Sequence, residues 1–278
     1  MIFKLNFYLW EKLKMNHNGS NCKNCSYEIA IEENYKFCPK CGQSLDTHRI
    51  NFHYVTHELQ HGILHVDKGI LNTGKALFTK PGIMVREYLE GKRKNHFSPI
   101  IFIVILCTLL TLIKHYVYND DILNAMTSES ASGRSEISNI IFNVFKPAIN
   151  WMYKNLVLFY LLQIPLMSIG FWIAFKKMTK YNFFEWMLIY AFCLIQIMIV
   201  SIVFQLLNKI LPGVLLLAAP TSFLLTSWTI FQALSKYDFT KVFINFILGY
   251  IINFSLMMIL TIIIVAYFLN THPELLSN

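Results

Sequence analysis

Long apolar runs dominate the last two-thirds of the chain. Five of them carry almost no charge, at residues 99–118, 156–175, 186–207, 210–234 and 242–269. A helix of about 20 apolar residues is long enough to cross the hydrocarbon core of a bilayer. The pattern therefore predicts an all-α polytopic membrane protein with about five transmembrane helices within residues 99–278. Pro212 and Pro220 are expected to break or kink the fourth span.

Before these runs, apolar residues recur at the helical period. One stripe is separated by steps of 4, 4, 3 and 4 positions and consists of Val55, Leu59, Ile63, Val66 and Ile70. This spacing is typical of an amphipathic helix. A second short helix is predicted over residues 83–90, with Gly91 as the residue that ends it. Residues 51–98 are thus expected to form cytosolic, juxtamembrane amphipathic helices.

The composition agrees with a membrane protein. Hydrophobic residues make up 55% of the 278 positions and charged residues 14%, and the mean hydropathy is +0.46. A soluble domain carries about a quarter charged residues. The net charge is +8, but no basic stripe interleaved with aromatic residues is present, so nucleic-acid binding is unlikely as a function class.

The loop charges predict an orientation. Basic residues precede span one and follow spans two and four: Lys80, Arg86, Lys92, Arg93, Lys94, Lys176, Lys177, Lys180, Lys236 and Lys241. Loops rich in Lys and Arg stay in the cytosol. The N-terminus is therefore expected in the cytosol and the C-terminus outside a bacterial inner membrane. Lys92, Arg93 and Lys94 are expected to contact anionic lipid head groups.

Four cysteines at the N-terminal end follow the spacing C-x2-C-x12-C-x2-C: Cys22, Cys25, Cys38 and Cys41. Two such pairs can bind one structural Zn²⁺ through four thiolates. Gly42 after the second pair can adopt the positive φ of a tight turn. The spacing predicts a zinc ribbon over residues 15–50, with one Zn²⁺ per chain and its thiols in the reducing cytosol. Residues 1–14 are an extension, and translation from Met1 or Met15 stays open.

A histidine ladder follows the predicted ribbon, with one histidine every four positions: His53, His57, His61 and His65. On a helix these side chains share one face, opposite the apolar stripe. The simplest interpretation is that the histidines form the solvent-exposed face of an amphipathic helix. A second metal site or a proton-sensing site is the alternative.

Within the ladder, His57, Glu58 and His61 match the H-E-x-x-H pattern of zinc peptidases. In that pattern the two histidines bind catalytic zinc and the glutamate activates water. A third ligand is not evident, and Gly62 weakens the helix. A membrane metallopeptidase is therefore kept as an alternative, and the chain is expected to have no catalytic residues.

The spans carry amides in place of charges near their centres. A charged midplane residue marks most ion-coupled pumps, so that class is disfavoured. Gln163, Gln196 and Asn253 are expected to form hydrogen bonds between helices. A polar cavity around them, as in a small-molecule transporter, is the second alternative.

Several short elements occur together ahead of span one. They are Phe37-Cys38-x-x-Cys41-Gly42, Thr73-x3-Leu77-x3-Pro81-Gly82, Arg86-Glu87-Tyr88-x-x-Gly91-Lys92-Arg93 and Phe97-x-Pro99. In this set the chain resembles a family of uncharacterised bacterial multi-pass membrane proteins with an N-terminal zinc ribbon, a domain of unknown function. The resemblance covers residues 20–115 and implies the ribbon-plus-membrane architecture, but it implies no activity. The function expected is that of an accessory or regulatory membrane protein whose ribbon docks a cytosolic partner.

Overall fold

The structure is a computed structural model that describes residues 21–29, 35–47, 49–52, 54, 69–118, 145–146 and 148–271. Its helices are α1 Gly69–Thr79, α2 Pro81–Leu89, α3 Pro99–Tyr118, α4 Leu156–Phe175, α5 Phe183–Asn208, α6 Ala218–Ala233 and α7 Phe239–Thr271, with a 3₁₀ turn at Val214–Leu217 before α6. The described residues contain isolated β-bridges but no strand. The all-α prediction is confirmed.

Among the described residues, five helices are long and apolar enough to cross a membrane. They are α3, α4, α5, the 3₁₀ turn with α6, and α7, which confirms the predicted five-span architecture. Spans one and two have the predicted bounds, since α3 is Pro99–Tyr118 and α4 is Leu156–Phe175.

The third span begins three residues earlier than predicted because of its N-terminal cap. The Asn182 side chain accepts a hydrogen bond from the Glu185 backbone N–H at 2.8 Å. The Glu185 carboxylate in turn accepts from the Asn182 backbone N–H at 2.7 Å. This reciprocal capping box satisfies donors that the first turn leaves unpaired, so the helix includes Phe183 and Phe184.

The prolines of the fourth span act at its start. Pro212 lies in the turn after α5, where Gly213 takes a φ of +92°. Pro220 is the third residue of α6, where its missing N–H breaks no helical hydrogen bond. Both residues therefore define where α6 begins and do not kink its interior.

Helix α5 is the centre of the bundle and the most buried of the five spans. It packs against α3, α4 and α6. Helix α7 packs on α4, where Asn253 accepts from the Gly170 N–H at 3.0 Å and donates to the Met167 carbonyl at 2.9 Å. Small residues allow this approach, because a Cβ on Gly170 would lie 2.2 Å from the Asn253 amide oxygen.

The helix pair α1–α2 packs against α5 and α6 at one end of the bundle. Leu77 and Val85 are completely buried. The Gln196 amide of α5 donates to the Leu77 carbonyl at 2.7 Å and accepts from the Thr229 hydroxyl of α6 at 2.7 Å. Of the five residues in the amphipathic stripe predicted at the membrane surface, only Ile70 lies within the described residues.

Trp186, in the first turn of α5, lies in the core, although tryptophans near the ends of membrane spans often lie at the interface. Only 1% of its surface is exposed. Its ring packs on Phe175 at 4.9 Å and stacks on Phe171 at 6.1 Å, both in α4. Trp186 therefore packs between α4 and α5, although its residue type alone would place it at the membrane–water interface.

Candidate metal centre

The four N-terminal cysteines come together in space. The Sγ atoms of Cys22 and Cys41 are 3.7 Å apart, and those of Cys25 and Cys38 are 3.6 Å apart. All four sulfurs lie within 4.8 Å of one another. Four thiolates at about 2.3 Å from one tetrahedral ion would be about 3.8 Å apart, so the cluster fits such an ion.

The two Cys-x-x-Cys turns have matching backbones. The N–H of Ser26 donates to the Cys22 carbonyl and the N–H of Gly42 to the Cys38 carbonyl, both at 2.8 Å. Ser26 and Gly42 are the residues that follow each turn, with φ of 57° and 71°. The positive φ predicted at Gly42 is confirmed, and the first turn achieves the same geometry with a serine.

The local environment shifts the pKa values of Cys41 and Cys25 in opposite directions. Burial disfavours the Cys41 thiolate, but hydrogen bonds from the Gln43 backbone N–H and the Asn24 amide outweigh it and lower the pKa of Cys41 to about 6. At Cys25 the Tyr27 backbone N–H acts to lower the pKa. Burial and the neighbouring thiols raise it to about 12. These hydrogen bonds therefore favour the thiolate of Cys41, which is the form that binds a metal ion.

Gln43 connects the candidate metal centre to the helix pair. Its side-chain oxygen accepts from the backbone N–H groups of Arg93 and Lys94 at 3.1 and 2.8 Å. Its backbone carbonyl accepts from the Cys38 N–H at 2.8 Å. Gln43 is only 4% exposed, so a single buried residue contacts both the second cysteine turn and the loop after α2.

A second connection runs from the cysteine segment, residues 21–29 and 35–50, to the start of α5. The Arg49 guanidinium forms two hydrogen bonds of 2.7 Å with the two carboxylate oxygens of Glu185 and also donates to the Lys180 carbonyl. The Glu185 side chain is 6% exposed. The Asn182 amide donates to the Ile50 carbonyl at 2.9 Å. The α5 cap thus holds the cysteine segment as well as its own helix.

The end of α2 gives the third connection. The Lys92 N–H donates to the Glu87 carbonyl and the Gly91 N–H to the Tyr88 carbonyl, which is the Schellman arrangement with Gly91 at φ +99°. The predicted helix end at Gly91 is confirmed. A Cβ on Gly91 would lie 3.0 Å from the Thr47 Cβ, so a glycine here lets the cysteine segment approach the turn.

Other residues singled out from the sequence have different outcomes. His53, His57, Glu58, His61 and His65 lie outside the described residues. Lys92 pairs with Glu87 at 3.3 Å, and the Arg93 guanidinium lies 4.5 Å from the centre of the Tyr54 ring. Gln196 and Asn253 form the hydrogen bonds between helices that were predicted for them, whereas the side-chain oxygen of Gln163 is buried without a hydrogen-bond partner among the described residues.

Sequence reasoning missed three contacts around the candidate metal centre. Asn182 followed by Glu185 ahead of an apolar run is the capping-box signature, so that cap was readable from the chain. The pairing of Glu185 with Arg49, 136 positions away, has no such signal. Neither has the contact of Gln43 with the loop at residues 93–94, because a lone glutamine matches no motif.

Comparison with known proteins adds one match. A family model described as a protein of unknown function, DUF3667, matches residues 67–111. The matched segment includes α1, α2 and the first part of α3, so it covers the helix pair that contacts the cysteine segment. Together with the four-thiol cluster, this match fits a domain of unknown function. No curated protein and no solved structure matches the chain.

Proposed function

We propose that the chain is a non-enzymatic accessory or regulatory protein of a bacterial inner membrane, whose cysteine segment is a structural zinc ribbon that docks a cytosolic protein. In this proposal Cys22, Cys25, Cys38 and Cys41 hold one Zn²⁺. The metal would supply fold stability, because a segment this short has too little core of its own.

The observation that carries the docking proposal is the contrast between two surfaces of the segment. Gln43, Thr47, Arg49 and Ile50 contact the bundle. Three aromatic residues of the same segment are exposed, namely Tyr27 at 42%, Tyr35 at 39% and Phe37 at 59%. Exposed aromatic side chains on a rigid support are typical anchors of protein interfaces.

Site-directed photo-crosslinking in cells tests this proposal. A photoreactive phenylalanine at Phe37 should yield one adduct of defined mass with a cytosolic protein. The same residue at Phe239, an exposed aromatic position (69%) at the start of α7 and beside Lys236 and Lys241 on the predicted cytosolic side, is the matched control and should give no such adduct. Loss of the Phe37 adduct on Cys38→Ser would tie docking to the folded segment.

Two results would contradict the proposal. One is an identical set of adducts from Phe37 and Phe239. The other is a Phe37 adduct that persists when Tyr27→Ser and Tyr35→Ser remove the other exposed aromatic residues and when Cys38→Ser disrupts the thiol cluster. The first would indicate random collision, and the second would indicate that the exposed aromatic surface is not what the partner contacts.

The described residues favour neither alternative function. The peptidase pattern lies outside them. Of the three amides expected around a transporter cavity, Gln196 and Asn253 have both their donor and their acceptor atoms engaged between helices. The Gln163 oxygen has no partner among the described residues, but none of the three amides lines the apolar cavity between α3, α4 and α5.

A further inference from the structure

An apolar cavity of about 190 Å³ lies between α3, α4 and α5. Its back wall is buried and includes Ile164, Leu188 and Ala191, whereas its rim includes the half-buried Ile100 and Leu161. The cavity therefore opens on the outer surface of the helical bundle. That surface belongs to three of the helices apolar enough to span a membrane, so lipid chains are the molecules that would meet the opening.

The cavity is large enough for part of a hydrocarbon chain. An apolar cavity of about 150 Å³ in another protein already accepts benzene. A polar molecule gains nothing from most of this lining, since burying unpaired polar groups is unfavourable. The size and the apolar lining of the cavity therefore favour a segment of a hydrocarbon chain several methylene groups long.

One end of the cavity is polar. The Ser98 hydroxyl lies on its lining, is buried and has no hydrogen-bond partner among the described residues. Tyr54 lies on the same lining, and the Arg93 guanidinium packs 4.5 Å from the centre of its ring. A hydroxyl group thus lies on the lining, and a positive charge lies next to the Tyr54 ring without lining the cavity itself; the Arg93 guanidinium also donates to the Tyr88 carbonyl at 3.2 Å.

The α4 wall contributes one further polar atom. Pro165 lines the cavity inside α4 and has no N–H to donate to the carbonyl of Leu161, four residues earlier. Prolines inside helices commonly bend or widen them, which gives a sequence-level reason to expect a cavity beside Pro165.

We propose that this cavity is a lipid site that holds one acyl chain of an anionic phospholipid, with the phosphate beside Ser98 and Tyr54 and within reach of the Arg93 side chain next to that tyrosine. The apolar lining selects the chain, and the Arg93 charge selects the charge of the head group. The site is independent of the docking surface in the proposed function, because it uses none of the exposed aromatic residues of the cysteine segment.

Photolabelling in nanodiscs tests the acyl-chain site. The discs contain phosphatidylcholine with a small fraction of phosphatidylglycerol that carries a diazirine in one acyl chain. After irradiation, adducts should concentrate in peptides of residues 161–165 and 184–191, several-fold above the exposed α7 positions Ile259, Ile262 and Ile263. Labelling in proportion to exposure, without this excess, would overturn the site.

A cavity-filling variant adds a matched comparison. Ala191→Leu fills the back wall and should reduce labelling of the cavity peptides at least fivefold. Ala266→Leu makes the same change on an exposed position of α7 and should leave it unchanged. If Ala191→Leu does not fold, Ile100→Trp at the rim closes the same cavity. Wild-type labelling in a folded, cavity-filled variant would overturn the proposal.

The head-group assignment has its own test. Unlabelled phosphatidylglycerol should compete with the probe several-fold better than phosphatidylcholine does, and Arg93→Gln should abolish that difference while chain labelling remains. Equal competition by the two lipids in the wild-type protein would overturn the anionic part of the proposal.

Discussion

At the scale of single residues, Gln43 does more than its position in the sequence indicates. Its backbone belongs to the second cysteine turn, where it contacts Cys38 and lowers the pKa of Cys41. Its side chain accepts two backbone N–H groups of the loop that follows α2. One buried residue therefore contacts the thiol cluster through its backbone and that loop through its side chain.

Substitution of Gln43 by alanine should loosen this loop without unfolding the bundle. The Lys94 N–H would lose its acceptor, and the Arg93 N–H would keep only the Gly91 carbonyl at 3.1 Å, at a cost of about 2 kcal/mol for partly buried donors. We expect hydrogen exchange of these two amides to accelerate at least about tenfold. Exchange measured by mass spectrometry on the detergent-solubilised protein checks this.

The control for Gln43→Ala is Lys40→Gln, an exposed position in the same cysteine turn. It should leave the exchange at residues 93 and 94 unchanged. Equal protection in Gln43→Ala and the wild type would mean that other contacts hold the loop and that Gln43 does not couple the two regions.

At the scale of elements, the spans were predictable and the placement of the helix pair was not. Uncharged runs of about 20 residues define membrane helices almost on their own, and α3 and α4 begin and end where these runs do. An amphipathic stripe indicates which face of a helix is buried, but not which partner covers it. The burial of Leu77 against Gln196 depends on a contact across 119 positions.

The same limit applies to the candidate metal centre. The spacing of the four cysteines predicted their cluster and the turn at Gly42, because the short loop between each pair permits few geometries. Its attachment to the bundle through Arg49 and Glu185 depends on tertiary packing. A carboxylate in the first turn of α5 could be read as part of a cap, but its distant partner could not.

Gly82 gives the sharpest prediction for the helix pair. Its N–H donates to the Gln232 side chain at 2.8 Å, and a Cβ there would lie 2.1 Å from the Ala233 backbone nitrogen. Gly82→Ala should therefore push α2 away from α6 and destabilise the protein by about 2–3 kcal/mol. The thermal midpoint of unfolding in detergent measures this.

Gly74→Ala is the matched control in α1, since no atom lies within 4 Å of its added Cβ. It should be neutral or stabilise the protein by up to about 1 kcal/mol, because alanine favours the helix. If both variants had the same midpoint, the close approach of α2 and α6 would not contribute to stability.

At the scale of the whole molecule, metal content separates the cysteine cluster from the histidine ladder. We expect one zinc per chain in the purified protein, none in Cys38→Ser, and one in Cys107→Ala, whose thiol lies in α3 away from the cluster. Elemental analysis of each variant, normalised to protein, gives these numbers.

The double variant His57→Ala/His61→Ala completes that measurement. One zinc per chain in both the double variant and the wild type would mean that the histidine ladder is the solvent-exposed face of a helix and binds no metal. Two in the wild type that fall to one in the double variant would make the ladder a metal site and revive the peptidase alternative. Removal of the cluster metal by a chelator should expose the cysteine segment to protease while the spans keep their helicity.

Orientation is the last property to predict, and the structure sharpens its test. Arg49 donates to the carbonyl of Lys180, so the cysteine segment and the basic loop between α4 and α5 lie at the same end of the bundle. The turn at Gly213, between α5 and α6, lies at the other end of α5. Alkaline phosphatase needs an oxidising compartment to form its disulfides. A fusion after Lys180 should therefore be inactive, and a fusion after Gly213 should be active. The reverse pattern would place the four thiols in the oxidising compartment, where they would form disulfides, and the zinc proposal would fail together with the orientation.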